Sequence, residues 1–288
     1  MELSFIQSNL NHCCAAQDLI SQYMVEEKID IALLSDPYIV AIDSNVWLKG
    51  TGQCRAAIYV ASNGVTIGNV LRATEFVSAR LNGVQVYCCY ASPNQTLQEF
   101  GDMLYQLGDS IRATQRDAPV LITWDFNARS AAWGDWVNNK RGDELGSLFE
   151  SLNLVILNEC STPTFARGAG SIVDVSAATE SLACRARNWR VLDSVFNYSD
   201  HHYIRFSLTH NQTVDSANTD PATPPVFRGW DTSGGIDRDT LHTGLLLAER
   251  LDQGNNYEEQ APELRSVSLR SRITAACNFV LPARRTPK

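Results

Sequence analysis

Apolar residues along this chain change rhythm repeatedly, switching between strand-like alternation, short apolar runs and helical spacing. Residues 3–9 alternate as a strand does, and 15–27 place Ala16, Leu19, Ile20, Tyr23 and Met24 at the three- and four-residue spacing of an amphipathic helix. Residues 29–34 form an apolar run that predicts a second strand, closed by Ser35-Asp36-Pro37. Strands are predicted over 55–61, 76–81 and 84–91. Asn82-Gly83 joins the last two as a hairpin, since both residues tolerate positive φ. A helix follows over 97–114, then a buried strand over 119–123 that runs directly into Trp124-Asp125-Phe126-Asn127. Past a loop bearing Gly, Asn and Arg, a helix over 144–152 and extended segments over 154–158, 190–192 and 202–208 complete the pattern. Hairpins mixed with strand–helix units predict a layered α/β sandwich with mixed sheets, as opposed to a purely parallel sheet.

The rhythm stops after Thr209. Residues 210–235 are rich in Asn, Thr, Asp, Pro and Gly, which is linker chemistry. One domain over 1–209 is therefore expected, followed over 210–288 by a linker and a partly helical connector. Residues 264–288 carry six Lys/Arg and no Asp or Glu. Such a segment is either a solvated helix face or a contact for nucleic acid or another domain.

Composition narrows the function classes. At 288 residues and 44% hydrophobic, the chain can bury one large core. It has no apolar run long enough to span a membrane, and its start lacks the basic-then-apolar order of a signal peptide. A soluble intracellular protein with no membrane partner is expected. The eight cysteines show neither C-x-x-C spacing nor zinc-ligand intervals with histidine, so reduced, mostly buried thiols are expected. The net charge of -8 argues against a surface devoted entirely to nucleic acid. It leaves room for a nuclease, in which carboxylates hold a cation and a few arginines meet the substrate.

Polar residues recur where the apolar strands end: Asn9 and Asn11, Asp36, Asp125 and Asn127, Asp174, then Asp200 and His201. Oxygen-rich side chains of this kind suit a hard divalent ion such as Mg²⁺, which keeps several waters and takes one or two carboxylates. Hydrolysis of a phosphodiester needs an activated water, charge relief on the transition state, a stabilised leaving oxygen and in-line geometry. The set contains candidates for each.

Six blocks occur in order: Ser8-Asn9-Leu10-Asn11, Ser35-Asp36-Pro37-Tyr38, Tyr90-Ala91-Ser92-Pro93-Asn94, Trp124-Asp125-Phe126-Asn127-Ala128, Ser171-Ile172-Val173-Asp174-Val175 and Ser199-Asp200-His201. Together they resemble the motifs of the apurinic/apyrimidinic-type endonucleases of non-LTR retrotransposons, within the endonuclease/exonuclease/phosphatase family. Asp-Phe-Asn-Ala and the terminal Ser-Asp-His are the most specific blocks. Residues 11–19 and the loop from Trp133-Gly134 to Arg141-Gly142 resemble the arthropod elements in particular. The resemblance covers roughly residues 3–209 and implies the DNase I-like fold, a four-layered α/β sandwich with two mixed β-sheets.

It also implies roles. Asn9, Asp36 and Asp200 would lie at the Mg²⁺, for which Mn²⁺ could substitute, with Asn11 and Ser199 supporting them. Tyr90 would contact the scissile phosphate, and Asp125 and Asn127 would position or deprotonate the attacking water. His201 would stabilise the phosphorane oxygen with Asp174 orienting its ring; the general base stays open between Asp125 and His201. Arg129, Arg141 and Arg167 fall in loops or edges near these blocks and are candidates for DNA phosphates. The implied product is a nick with a 3′-hydroxyl in double-stranded target DNA, which primes reverse transcription. Nuclear location follows from that substrate. Residues 266–287 resemble the connector that precedes a reverse transcriptase, which would be the C-terminal partner in an intact element.

Three positions depart from the pattern. Asp36 stands where the family has Glu, Trp124 where it carries Gly, and Ser176 where Thr is common. Two other readings therefore stay open, a decayed copy that keeps the fold and DNA binding, and a phosphatase or phosphodiesterase acting on a non-DNA phosphoester.

Overall fold

The computed structural model describes residues 2–41, 44–159 and 161–209. The connector expected over 210–288 lies outside the described residues.

The chain opens with strand β1 (Glu2–Asn9), helix α1 (Cys14–Glu26) and strand β2 (Ile31–Ser35), then β3 (Trp47–Lys49) and β4 (Ala56–Val60). The hairpin-rich stretch β5 (Ile67–Arg72), β6 (Phe76–Leu81) and β7 (Val84–Tyr90) leads into α2 (Leu97–Thr114) and β8 (Val120–Asp125). A 3-10 turn, Ala131–Trp133, precedes α3 (Lys140–Ser151), β9 (Leu154–Ile156), β10 (Asp174–Thr179) and the short α4 (Glu180–Ala183). The described chain closes with β11 (Ala186–Leu192) and β12 (Tyr203–Thr209).

Twelve strands form two six-stranded sheets, ordered β11-β12-β1-β2-β4-β3 and β5-β6-β7-β8-β10-β9. Each is mixed. The β1–β2 and β7–β8 pairs are parallel, and the other pairs antiparallel. The sheets meet through a core that includes Phe5, Leu33 and Phe206 from the first and Val77, Val86 and Leu121 from the second. The outer face of the first sheet is covered by α1 through Ala16, Ile20 and Met24. That of the second is covered by α2 and α3 through Phe100, Leu107, Leu145 and Phe149. Four layers result, as the sequence predicts. Central strands β2 and β8 are buried along their whole length, because a strand covered on both faces carries an apolar run in place of alternation.

Local chemistry sets the boundaries. Thr96 and Glu99 form a reciprocal capping box at the start of α2, so its predicted limits match those observed. Helix α3 begins four residues earlier than predicted, because Asn139 accepts from the Gly142 N–H and caps it. Arg141 and Gly142, expected in a loop, are therefore in its first turn. A Cβ on Gly142 would come within 2.0 Å of the Arg129 carbonyl oxygen, so only glycine lets the 129–139 loop pack there. Among the described residues no helix is long and apolar enough to cross a membrane.

Candidate active site

Strand register assembles the candidate residues at one edge of the sandwich. In the first sheet Asn9 lies opposite Ser35, and Ser35 opposite Ala56, which places Asp36 and Arg55 just beyond the paired residues. In the second, Tyr90 lies opposite Asp125 and Asp125 opposite Asp174, a single row across three strands. Parallel strands β1, β2, β7 and β8 end at this edge, and their antiparallel neighbours β4, β10 and β12 begin there. His201 stands two residues ahead of β12 and so joins the row.

Hydrogen bonds tie the two rows together across the sheets. Asn9 Nδ2 donates to Asp125 Oδ2 at 2.7 Å. His201 Nδ1 lies 2.8 Å from Asp174 Oδ2, and its Nε2 is 3.8 Å from Asp125 Oδ2. One atom from each of Asp125, Asp174 and His201 falls within 4.8 Å of the others, and all three residues are buried. The ring edge is steadied by Phe165, whose centroid lies 4.9 Å from that of His201. Deeper in, Ser176 Oγ donates to Gln7 Oε1 and accepts from the Trp189 indole N–H.

Burial and charge move the proton equilibria of this network in a consistent direction. Burial, then the charge of Asp174, push the Asp125 carboxyl above its ordinary range, against the pull of His201 and the Asn9 hydrogen bond. Burial alone would depress His201, but Asp174 and Asp125 outweigh it and raise the imidazole to about 9. At neutral pH the imidazole is therefore held protonated, oriented through Nδ1, with Nε2 on the side of Asp125.

Backbone strain marks the loops that present these groups. Asn11, His12, Asp36 and Asn127 all have φ between 47° and 51°, a region sparsely used by residues other than glycine. The Asn11 N–H donates to Asn9 Oδ1, and its side chain donates to Asp200 Oδ2. Asn127 N donates to Asp125 Oδ1, and its amide anchors to the Ala91 carbonyl. Ser199 Oγ donates to the Asn9 carbonyl at 2.6 Å and accepts from the His201 N–H, fixing the final loop on β1.

Known proteins share this fold. Residues 84–205 match the family described as endonuclease-reverse transcriptase. The endonuclease domain of TRAS1, a telomere-specific non-LTR retrotransposon, is 25% identical, with TM-score 0.63 over 73% of this chain and 100% of that one. The chain has the DNase I-like fold of the endonuclease/exonuclease/phosphatase proteins. An AP endonuclease from Archaeoglobus fulgidus (14% identical, TM-score 0.57, 71% of this chain and 98% of that one) has the same fold. So does a 3′-5′ exonuclease from Neisseria meningitidis (17%, 0.56, 72% and 99%). A comparison with curated protein sequences gave no match.

The donor set at this edge has the chemistry of a hard cation. Amide and carboxylate oxygens from Asn9, Asp36, Asp125 and Asp200 gather at the edge, and no thiol is among them. Asp36 is nonetheless already engaged. Arg55 Nε donates to its Oδ1 at 2.6 Å and Nη2 pairs with Oδ2, a two-pronged ion pair on a carboxylate that is only 5% exposed. Arg55 also lies over the Tyr90 ring, 4.8 Å from its centroid. Burial raises the Tyr90 phenol, against the nearby Arg55 charge. A metal ion at Asp36 would share that carboxylate with Arg55.

The three arginines expected to meet DNA separate in the structure. Arg129 forms a two-pronged pair with buried Asp135, which also accepts from the Ile172 and Val137 N–H groups. Arg141 donates to the carbonyls of Ser92 and Gln95 at the start of the α2 region, and burial lowers its basicity. Both guanidinium groups are thus committed inside the protein, as braces for loops. Arg167 is exposed and pairs with Asp200 at 2.6 Å, beside the candidate site.

Trp124, a departure from the family pattern, does not enter the cleft. It is 1% exposed, stacks on Phe126 and packs under α2 and α3. Sequence reasoning missed Arg55, Gln7, Ser176 as a bridge, Phe165 and Asp135. Arg55 did leave a signal, as the charged residue that opens an otherwise apolar strand.

Proposed function

We propose that this protein is a divalent-metal-dependent endonuclease that nicks target DNA and leaves a 3′-hydroxyl to prime reverse transcription. The observation that carries the reading is the buried line from Asn9 through Asp125 and His201 to Asp174, joining two sheets at the mouth of the sandwich.

Asn9, Asp36 and Asp200 would hold the cation, Mg²⁺ or Mn²⁺, with Asn11 and Ser199 fixing the loops around them. When bound, it supplies charge relief at the phosphoryl oxygen and leaving group. Tyr90 contacts the scissile phosphate through its hydroxyl. Asp125, steered by Asn127, positions the attacking water and draws its proton; a carboxylate with an elevated pKa is a better base than an ordinary one. His201, held protonated by Asp174, donates from Nε2 to the developing phosphorane oxygen. Arg167 contributes a phosphate contact at the rim. A nuclear site of action follows from a target-DNA substrate, and a reverse transcriptase domain as C-terminal partner from the likeness to a retrotransposon endonuclease.

The test is nicking of supercoiled plasmid by the full chain with Mg²⁺ or with EDTA, alongside Asp125→Asn and His201→Gln. Mg²⁺-dependent nicking lost by a factor of about a hundred or more in both variants is expected, in line with removal of an acid–base group or a charge-stabilising donor. Folded protein without nicking would overturn it.

One observation favours a second reading, a DNA-binding scaffold with little turnover. Both oxygens of the Asp36 carboxylate are already engaged by Arg55. Asp36→Glu gaining Mg²⁺-dependent nicking would favour a weakened enzyme over a scaffold.

A further inference from the structure

Behind Asp36 the molecule opens into a cavity of about 320 Å³, lined in part by His12, Asp36, Tyr38, Lys49, Gln53 and Arg55. Its charge is one-sided. The single carboxylate among those six is neutralised by Arg55. Lys49, on strand β3, lines the cavity and makes no ion pair among the described residues. The His12 ring is mostly exposed, with Nδ1 3.2 Å from the Pro37 carbonyl oxygen and 3.9 Å from Asp36 Oδ1. Tyr38 and Gln53 add a hydroxyl and an amide.

Arg55 connects this cavity to the candidate site. While two of its nitrogens hold Asp36, Nη1 reaches to 3.5 Å from the Tyr90 hydroxyl. Its guanidinium thus forms the partition between Tyr90, on the cleft side, and Lys49, on the cavity side.

We propose that this cavity is a second phosphate subsite, which takes a backbone phosphate adjacent to the one at Tyr90 and holds it through Lys49, with His12 and Tyr38 at the rim. The proposal rests on the reading of DNA as substrate. Duplex DNA supplies anions at regular intervals along one strand, so a cleft for one phosphate requires its neighbours to lie close by. A pocket that offers donors and a positive charge with no ion-pair partner among the described residues, directly across one arginine from that cleft, matches the neighbour. Lysine suits the task as a point charge that accepts varied phosphate orientations. Contacts of this type position the duplex without reading its sequence.

The experiment uses the full chain in EDTA, where binding is read without cleavage. Fluorescence anisotropy of a duplex oligonucleotide over a salt series compares the protein with Lys49→Gln and Lys49→Arg. Weaker binding and a salt slope smaller by about one are expected for Lys49→Gln, with Lys49→Arg close to the original. Duplexes carrying a single neutral methylphosphonate at successive positions then locate the contact. One position flanking the nick should lose affinity with the original protein and lose none with Lys49→Gln. In a separate assay with Mg²⁺ in place of EDTA, hydrolysis of bis(p-nitrophenyl) phosphate, which has no flanking phosphate, should be unchanged by Lys49→Gln. An unchanged salt slope, or the same methylphosphonate profile in both proteins, overturns the subsite while leaving the endonuclease reading intact. Absence of any salt-sensitive duplex binding by the original protein overturns both.

Discussion

His201 shows how much of this protein's behaviour is carried by single side chains. Its imidazole titrates at an ordinary value of 6.5 when exposed and is raised to about 9 in the fold. A group whose folded pKa is raised stabilises the fold fully below the unfolded value, and that stabilisation is lost as pH climbs through the folded one. In EDTA the urea midpoint should therefore fall between pH 6.5 and 9.5, by an amount worth a few kcal/mol, roughly. His201→Gln should flatten that fall. The elevated Asp125 carboxyl has the same sign in a lower window, its stabilisation being lost as pH climbs from its ordinary 3.8 through about 6. Ser176→Ala should cost about 1–3 kcal/mol, because Gln7 Oε1 loses its donor and the Trp189 indole its acceptor. Trp124→Phe should stay within about 1.5 kcal/mol, as the lost volume is offset by removal of an indole N–H that has no partner. Asp36, Asp125, Asp174 and His201 were legible in the sequence because polar groups interrupt apolar strands there. The bridge from Gln7 to Ser176 was not, since its members lie 169 positions apart and each reads as an ordinary strand residue.

Elements were legible where local signals agreed. Thr96 and Glu99 mark the start of α2 within four residues, and Thr96→Ala should lower stability by about 1 kcal/mol in a urea titration, through loss of one partner of the capping box. The strand signal failed in β5, which carries Gly68 and Asn69 at a register shift on a sheet edge and shows no clean alternation. It failed again in β10, where Ser176, Ala177 and Ala178 are buried yet too small to announce an apolar run. In β3 three residues are too few for any period to register. At this scale Asp174 could be recognised as part of a motif while the strand that aims it went unread.

A layered α/β sandwich followed from the alternation of hairpins and strand–helix units and its four layers from the family resemblance, but the order of its strands did not follow from the pattern, because pairing across long separations leaves no local trace. The second sheet is built from the middle of the described chain, and the first from its two ends: β1 is flanked by β2 and by β12. A chain stopped after residue 198 would leave one side of β1 unpaired, and it should lose the cooperative thermal transition shown by the longer protein. That arrangement has a consequence for the order of events during synthesis. Asn9 leaves the ribosome early and Asp125 midway, but His201 and β12, which seals the sheet beneath it, come almost last among residues 2–209. A nascent chain therefore cannot hold the buried Asp125–His201–Asp174 line in place until the domain is essentially complete, and any hydrolytic competence of the site arises only at the end of translation of this region.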